Sequence, residues 1–265
     1  MGYKITTLVE NCVYGRKLQA EHGLSLYIET SGHRLLFDTG ASDLFIRNAR
    51  LLHIDLQKVD YLILSHGHSD HTGGLRYFLE LNTQATVVCK REIFSPKFKD
   101  ERENGMMHTQ NLDRSRFRFI TEQTELLPGV FLFPSIDIIN QADTHFERFW
   151  VQQEDGCKIP DTFQDELAVV LVEPEGFSVL SACSHRGITN ILRTVQAAFP
   201  ESPCKLLLGG FISITRKNKN IRSLQIIYRN IFPDRLAFVI VREWINMPSF
   251  TRTLVTAHFI ITREN

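Results

Sequence analysis

Within six residues the chain carries four side chains able to ligate a cation: His66, His68, Asp70 and His71. Imidazole nitrogen together with carboxylate oxygen suits Zn²⁺, with Mn²⁺ or Fe as further fits. The alternating pair His66 and His68 can point one way while Asp70 and His71 point another, an arrangement for two adjacent divalent ions. A polar loop capping a helix, with Ser69 or Asp70 as N-cap, explains one such residue but not four. Two ions about 3.5–4 Å apart would share a hydroxide, because coordination lowers the pKa of water from 15.7 toward about 7. That metal-bound hydroxide would attack a phosphoryl or carbonyl centre, with Asp70 as the carboxylate at the reacting edge. No Ser-His-Asp set is needed, and none is visible. Neither a Walker-type phosphate loop nor a GxGxxG fingerprint after a strand is present, which argues against an NTPase or a dinucleotide enzyme.

Strands and turns must place these donors. Val59 to Ser65 is apolar enough for a buried strand, and the donor loop follows it directly. Leu75, Phe78 and Leu79 then open an apolar helical face. Upstream, Leu24 to Thr30 and His33 to Asp38 read as a hairpin over Ser31-Gly32, with Asp38-Thr39-Gly40 ending the second strand and a short helix following through Leu44, Phe45 and Ala49. Residues 85–165 hold strand candidates at Ala85 to Cys89 and Val130 to Phe133 but no sharp chemical signal. A second hairpin, Leu167 to Val172 and Phe177 to Cys183, ends at Cys183-Ser184-His185-Arg186-Gly187, followed by a helical stripe from Ile188 to Ala198 and a strand at Cys204 to Leu208.

On its HxHxDH loop after a strand and its Asp-ended upstream strand, residues 5–210 resemble the metallo-β-lactamase fold superfamily. The resemblance implies an αββα sandwich, an α/β fold with two metals at one edge between its sheets. It assigns His66 and His68 to one ion, completed by His185, and Asp70 and His71 to the other. Asp38 becomes an acceptor that orients a ligand imidazole. More narrowly, Glu21-His22-Gly23-Leu24-Ser25, Asp38-Thr39-Gly40 and Cys183-Ser184-His185-Arg186-Gly187 look like the branch related to 7,8-dihydropterin-6-methyl-4-(β-D-ribofuranosyl)aminobenzene-5′-phosphate synthase. That likeness implies a metal-dependent hydrolase acting on a phosphodiester or phosphorylated small molecule. Glu21 and His22 are candidate substrate contacts, and a surface turn before a strand explains them equally well. Cys183 reads as a small buried strand-end residue rather than a ligand or nucleophile.

The pattern stops at Phe211. The branch continues after Gly-Gly-Phe with a histidine that completes the second ion, and later with Cys-His-Cys-Thr-Gly, whereas here Ile212 follows Gly209-Gly210-Phe211 and the one later histidine is His258. All 15 glycines lie at or before Gly210, and residues 211–265 carry nine Lys and Arg against three Asp and Glu. Pairing each codon's third base with the next codon's first two permits histidine directly after Phe211. The same shift over Phe238 to Asn246 permits Cys-His-Cys-Thr-Gly-Met-Asp-Lys. We therefore divide the chain into a metallo-β-lactamase-like domain, 1–211, and a tail, 212–265, read as a frameshifted translation. The alternatives are a divergent selected tail and, with it, a degenerate non-catalytic member retaining a single metal site.

Composition bounds the remaining classes. The 265 residues are 43% hydrophobic and 23% charged, with no apolar run near the length of a spanning helix. Five scattered cysteines, Cys12, Cys89, Cys157, Cys183 and Cys204, are odd in number and form no CxxC pair, as in a reducing compartment. With strand-like sequence directly after Met1, the expected location is the cytoplasm. The net charge of zero becomes −6 over residues 1–210, which offers no phosphate-tracking surface. The expected partner is a small-molecule substrate, with no nucleic acid and no membrane; a homodimer is expected by analogy alone.

Overall fold

The computed structural model describes residues 2–13, 17–30, 32–107 and 109–210. The tail 212–265, with its frameshift reading and His258, lies outside the described residues. These residues form two compact units, one of residues 2–121 with 146–165 and one of 122–145 with 166–210.

The first unit is built on a six-stranded sheet. Strand β1 (Lys4–Val9) pairs antiparallel with β2 (Ser25–Thr30), which turns into β3 (His33–Phe37) with Leu26 opposite Phe37. From β3 the sheet runs parallel through β4 (Tyr61–Ile63) and β5 (Thr86–Cys89). Parallel strands need crossovers, supplied by helix α1 (Leu44–Leu51) between β3 and β4, and by α2 (Ser69–Thr72) and α3 (Leu75–Leu81) between β4 and β5. Phe45 and Ala49 of α1 and Leu75 and Phe78 of α3 pack with Leu36, Leu62 and Val87 of the strands in one core. A small second sheet in this unit contains β6 (Lys97–Lys99) and β7 (Arg102–Glu103). Strand β8 (Phe117–Phe119) extends the first sheet beyond β5.

The second unit contributes β9 (Thr124–Leu127) and β10 (Val130–Phe133). The first unit's small sheet is completed by β11 (Phe149–Gln152), beside β6, and β12 (Lys158–Pro160). In the second unit, β13 (Ala168–Glu173) and β14 (Gly176–Ser181) form an antiparallel hairpin, and β15 (Cys204–Gly209) lies parallel to β14 after α4 (Ile188–Ala198). Ile188, Ile191, Leu192 and Val195 of α4 pack on Val170, Val179 and Leu207, the stripe expected from the helical spacing. Burying such an aliphatic side chain contributes about 1.5–3 kcal/mol.

Two local departures matter for the donors. The strand expected over Val59 to Ser65 is shorter, because past Leu64, whose N–H still bonds Val88 O, the Ser65 N–H turns to the Asp38 carboxylate at 2.8 Å. A side chain replaces the ladder and ends the strand. The helix expected from Leu75 is preceded by the separate turn α2, which carries Asp70 and His71. Gly73 and Gly74 divide them, since a Cβ at Gly73 would meet Ala41 O at 2.3 Å and one at Gly74 would meet Thr39 O at 2.4 Å. Among the described residues, no helix is long and apolar enough to cross a membrane.

Candidate metal centre

In the first unit the donors of the loop after β4 are buried: His66, His68, Asp70 and His71 are all 5% exposed or less. Ring centroids of His66 and His68 are 4.7 Å apart, and those of His66 and His71 are 4.4 Å apart. A nitrogen of His66 lies within 4.8 Å of one on His68, and likewise of one on His71. Asp70 Oδ2 stands 3.7 Å from His71 Nε2. Three imidazoles and a carboxylate thus converge in one buried loop.

Asp38 sets the proton positions on two of the rings. Its Oδ2 is 2.8 Å from His71 Nδ1, so that nitrogen donates and Nε2 is the lone-pair nitrogen. Oδ2 also accepts from Ser65 Oγ at 2.7 Å, which commits the serine proton. The Ser65 Oγ contact to His66 Nδ1, at 2.9 Å, is then donated by the ring, again leaving Nε2 as the lone-pair nitrogen. Asp38 itself adopts φ +60°, a left-handed conformation that costs a non-glycine residue roughly 1–3 kcal/mol. Three bonds to its carboxylate, from Ser65 N–H, Ser65 Oγ and His71 Nδ1, and two through its backbone, to Ile63 O and from Ser25 Oγ, hold it there. Ser65 does not stand out in the sequence; only its place between a strand and a histidine hints at it.

Glu21 and His22 part company. The Glu21 carboxylate accepts from the N–H groups of Ala41 and Ser42 at 3.0 and 3.1 Å and from Ser42 Oγ at 2.5 Å, which gives it a role in fixing the turn before α1. His22, half exposed, places Nε2 3.2 Å from Asp70 Oδ2 and Nδ1 3.2 Å from Asn11 Oδ1. Of the two it is His22 that reaches the donor loop.

The stretch 85–165, which offers no sharp chemical signal in sequence, supplies the loop's backing. Lys97, 2% exposed, donates to Asp161 Oδ2 at 2.6 Å and Asp165 Oδ1 at 3.0 Å, while Asp165 Oδ2 accepts the Gly67 N–H at 2.6 Å. Burial pulls the Lys97 ammonium down, but the Asp165 and Asp161 carboxylates outweigh it and hold its pKa above the ordinary lysine value. Sequence reasoning misses these residues because their contacts span 64, 68 and 98 positions.

In the second unit His185 is fully buried on the loop after β14. Its Nδ1 faces His145 O at 3.2 Å, and since a carbonyl only accepts, Nδ1 carries the proton and Nε2 the lone pair. Glu166 accepts the N–H of His185 and of Arg186, each at 2.7 Å, one per carboxylate oxygen. Cys183 is buried at the end of this hairpin.

The donors fit divalent cations on two independent grounds. The tautomers of His66, His71 and His185 are preset with Nε2 as acceptor. Among the described residues of the first unit, four carboxylates, Asp38, Asp70, Asp161 and Asp165, are buried against a single buried ammonium, Lys97. A divalent cation would offset part of this excess of buried acidic groups.

Residues 19–153 match the model of the metallo-beta-lactamase superfamily. The 7,8-dihydropterin-6-methyl-4-(beta-D-ribofuranosyl)-aminobenzene-5′-phosphate synthase of Methanocaldococcus jannaschii is 29% identical over 239 residues, covering 83% of this chain and 81% of that one. An uncharacterised protein of the same organism is 29% identical over 211 residues, covering 78% of each. Among solved structures, a metal-dependent hydrolase of the beta-lactamase superfamily aligns with a TM-score of 0.76 and 26% identity, over 93% of this chain and 99% of that one. With the family model spanning half its length, and with a solved member of like fold, this chain belongs to the metallo-beta-lactamase superfamily.

Proposed function

We propose that the protein is a dinuclear metal-dependent hydrolase of a phosphodiester or phosphorylated small molecule, probed most simply with bis(p-nitrophenyl) phosphate. The observation that carries this reading is the buried loop of three imidazoles and a carboxylate, with the Nδ1 protons of His66 and His71 committed to the Asp38 and Ser65 network. His66 and His68 would hold one ion, and Asp70 and His71 the other. His185, whose Nδ1 proton is held by the His145 carbonyl, offers a donor of the same kind, and the proposal keeps the assignment that the sequence resemblance gives it. When bound, divalent ions supply Lewis acidity toward a phosphoryl oxygen and a water nucleophile active near neutral pH. The chain's own part is to hold the His66 and His71 rings through Asp38 and Ser65, with Nε2 left as the lone-pair nitrogen, and to keep the donors buried. His22, at the exposed side of Asp70, is positioned to meet a substrate that approaches that carboxylate.

The M. jannaschii relative is named as the synthase of a 5′-phosphate, which supports a phosphorylated small molecule at the site, and the likeness to a solved metal-dependent hydrolase supports metal-dependent hydrolysis. Zn²⁺ is the preferred ion on ligand type, with Mn²⁺ and Fe as alternatives. The test is turnover of bis(p-nitrophenyl) phosphate by metal-loaded protein. Activity abolished by chelation and restored by Zn²⁺ or Mn²⁺ supports the reading, and metal-loaded protein without turnover contradicts it. A second reading rests on Ile212, which stands where the resembling branch has a histidine. On that reading the chain as written is a degenerate member holding one ion, and it predicts one metal per chain without turnover.

A further inference from the structure

Between the two leading histidines of the donor loop sits Gly67, and three residues remote in sequence converge on it. Asp165 Oδ2 accepts its N–H at 2.6 Å. A Cβ at this position would meet Ile93 O at 2.6 Å, Lys97 Cε at 3.0 Å and Asp165 Oδ2 at 3.1 Å, so the close approach of the clasping groups requires glycine. Asp165 is itself held by Lys97, which also binds Asp161. Asp161 Oδ1 accepts the N–H of Phe163 at 2.7 Å. That bond helps keep Phe163 at φ +54°, a conformation in which its ring stands edge-on to His68 with centroids 5.2 Å apart and to His66 at 6.2 Å. Lys97 Nζ lies 5.3 Å from the centre of the same ring.

The geometry points to Lys97, Asp161 and Asp165 as a clasp of positioning residues that sets the separation and tilt of the His66 and His68 imidazoles. The clasp rests on the proposed metal site. Its logic is one of geometry rather than stability. A buried ion pair is weak support for a fold, and here two carboxylates share one ammonium, which makes the cluster costlier still. What the second carboxylate does is grip Gly67 through a charge-assisted bond, while the first fixes the aromatic wall of His68. Apolar residues of similar volume would pack this space but would leave the loop between the two donors untethered.

The test compares three variants of the full chain in Zn²⁺ titrations against a chromophoric chelator, with Co²⁺ substitution as a spectroscopic readout. Asp165→Leu keeps the branched shape, at a larger volume, and removes the grip on Gly67. Asp165→Asn keeps an acceptor without the charge. Asp100→Asn breaks the exposed ion pair of Asp100 with Arg148, which flanks the same small sheet, and serves as the control. Removing partners behind metal ligands typically weakens binding about 10–100-fold. Asp165→Leu is therefore expected to bind Zn²⁺ about 10–100-fold more weakly and to shift the Co²⁺ ligand-field bands, while its far-ultraviolet circular dichroism matches wild type. Asp165→Asn should fall at the low end of that range, about tenfold, and Asp100→Asn should match wild type. Asp165 variants that fold with lowered melting temperature but bind Zn²⁺ and colour with Co²⁺ like wild type overturn the clasp and leave the proposed function standing. If the leucine variant does not fold, unchanged affinity in Asp165→Asn overturns it alone. Wild-type protein that binds no Zn²⁺ overturns the proposed function, and the clasp with it.

Discussion

The loop after β4 in the first unit and the loop after β14 in the second solve the same local problem with different donor densities. Each follows a buried strand, and in each a carboxylate takes backbone N–H groups that the sheet ladder no longer serves. In the first unit Asp38 holds the Ser65 N–H and Asp165 holds that of Gly67. In the second, Glu166 alone holds both His185 and Arg186. The first loop presents four donors and orients two of its rings, His66 and His71, through carboxylate and serine. The second presents one histidine, oriented by a main-chain carbonyl. The difference teaches that ring orientation in the first loop depends on buried charge, whereas in the second it depends on backbone position.

The largest effect expected from this comparison is in the first loop. His68→Ala or Asp70→Ala should lower chelator-sensitive hydrolysis of bis(p-nitrophenyl) phosphate by about a thousandfold or more, in keeping with the several kcal/mol that a metal contributes to the transition state. A loss under tenfold would separate the loop from the chemistry. Next, Asp38→Ala removes a charged ring acceptor as well as a backbone anchor, so Zn²⁺ affinity should fall about 10–100-fold in a titration. Glu166→Ala should act mainly on stability, at about 1–3 kcal/mol for each buried N–H left unmatched, read from denaturant unfolding. If Glu166→Ala weakened metal binding more than Asp38→Ala, the contrast between the two loops would fail.

A smaller effect comes from a carboxyl placed in neither loop. Burial alone pushes Glu10 up from 4.5 to about 7. The folded state then retains a proton that the unfolded chain releases, so stability should fall as pH rises from about 4.5 to 7, by at most about 3 kcal/mol. Glu10→Gln should flatten urea-unfolding stability across that window, and an unchanged slope would show that the carboxyl ionises freely in the fold.

What could be read from the sequence follows from these distances. The donor loop was legible because its chemistry is local, four ligating side chains in six residues after an apolar strand. Asp38 was legible as the end of a strand, and the helix stripe from Ile188 to Ala198 as a period. Lys97, Asp161 and Asp165 were not, because each is an ordinary surface residue by type and becomes a buried cluster only when separations of 64 to 98 residues close. Ser65 lacks any signal beyond its position, and the division of α2 from α3 depends on backbone approaches that only the folded chain reveals. The tail reading is checked at the level of the gene. Resequencing across codons 205 to 215 should show one additional T, restoring histidine after Gly-Gly-Phe; an unchanged sequence would favour the single-metal reading.

The most direct test of the account is the metal content of purified protein from the resequenced gene, measured by plasma mass spectrometry beside its hydrolysis of bis(p-nitrophenyl) phosphate. The account predicts two divalent ions per chain, lost together with activity on chelation and regained together with Zn²⁺ or Mn²⁺. Folded protein that takes up no divalent ion would contradict it.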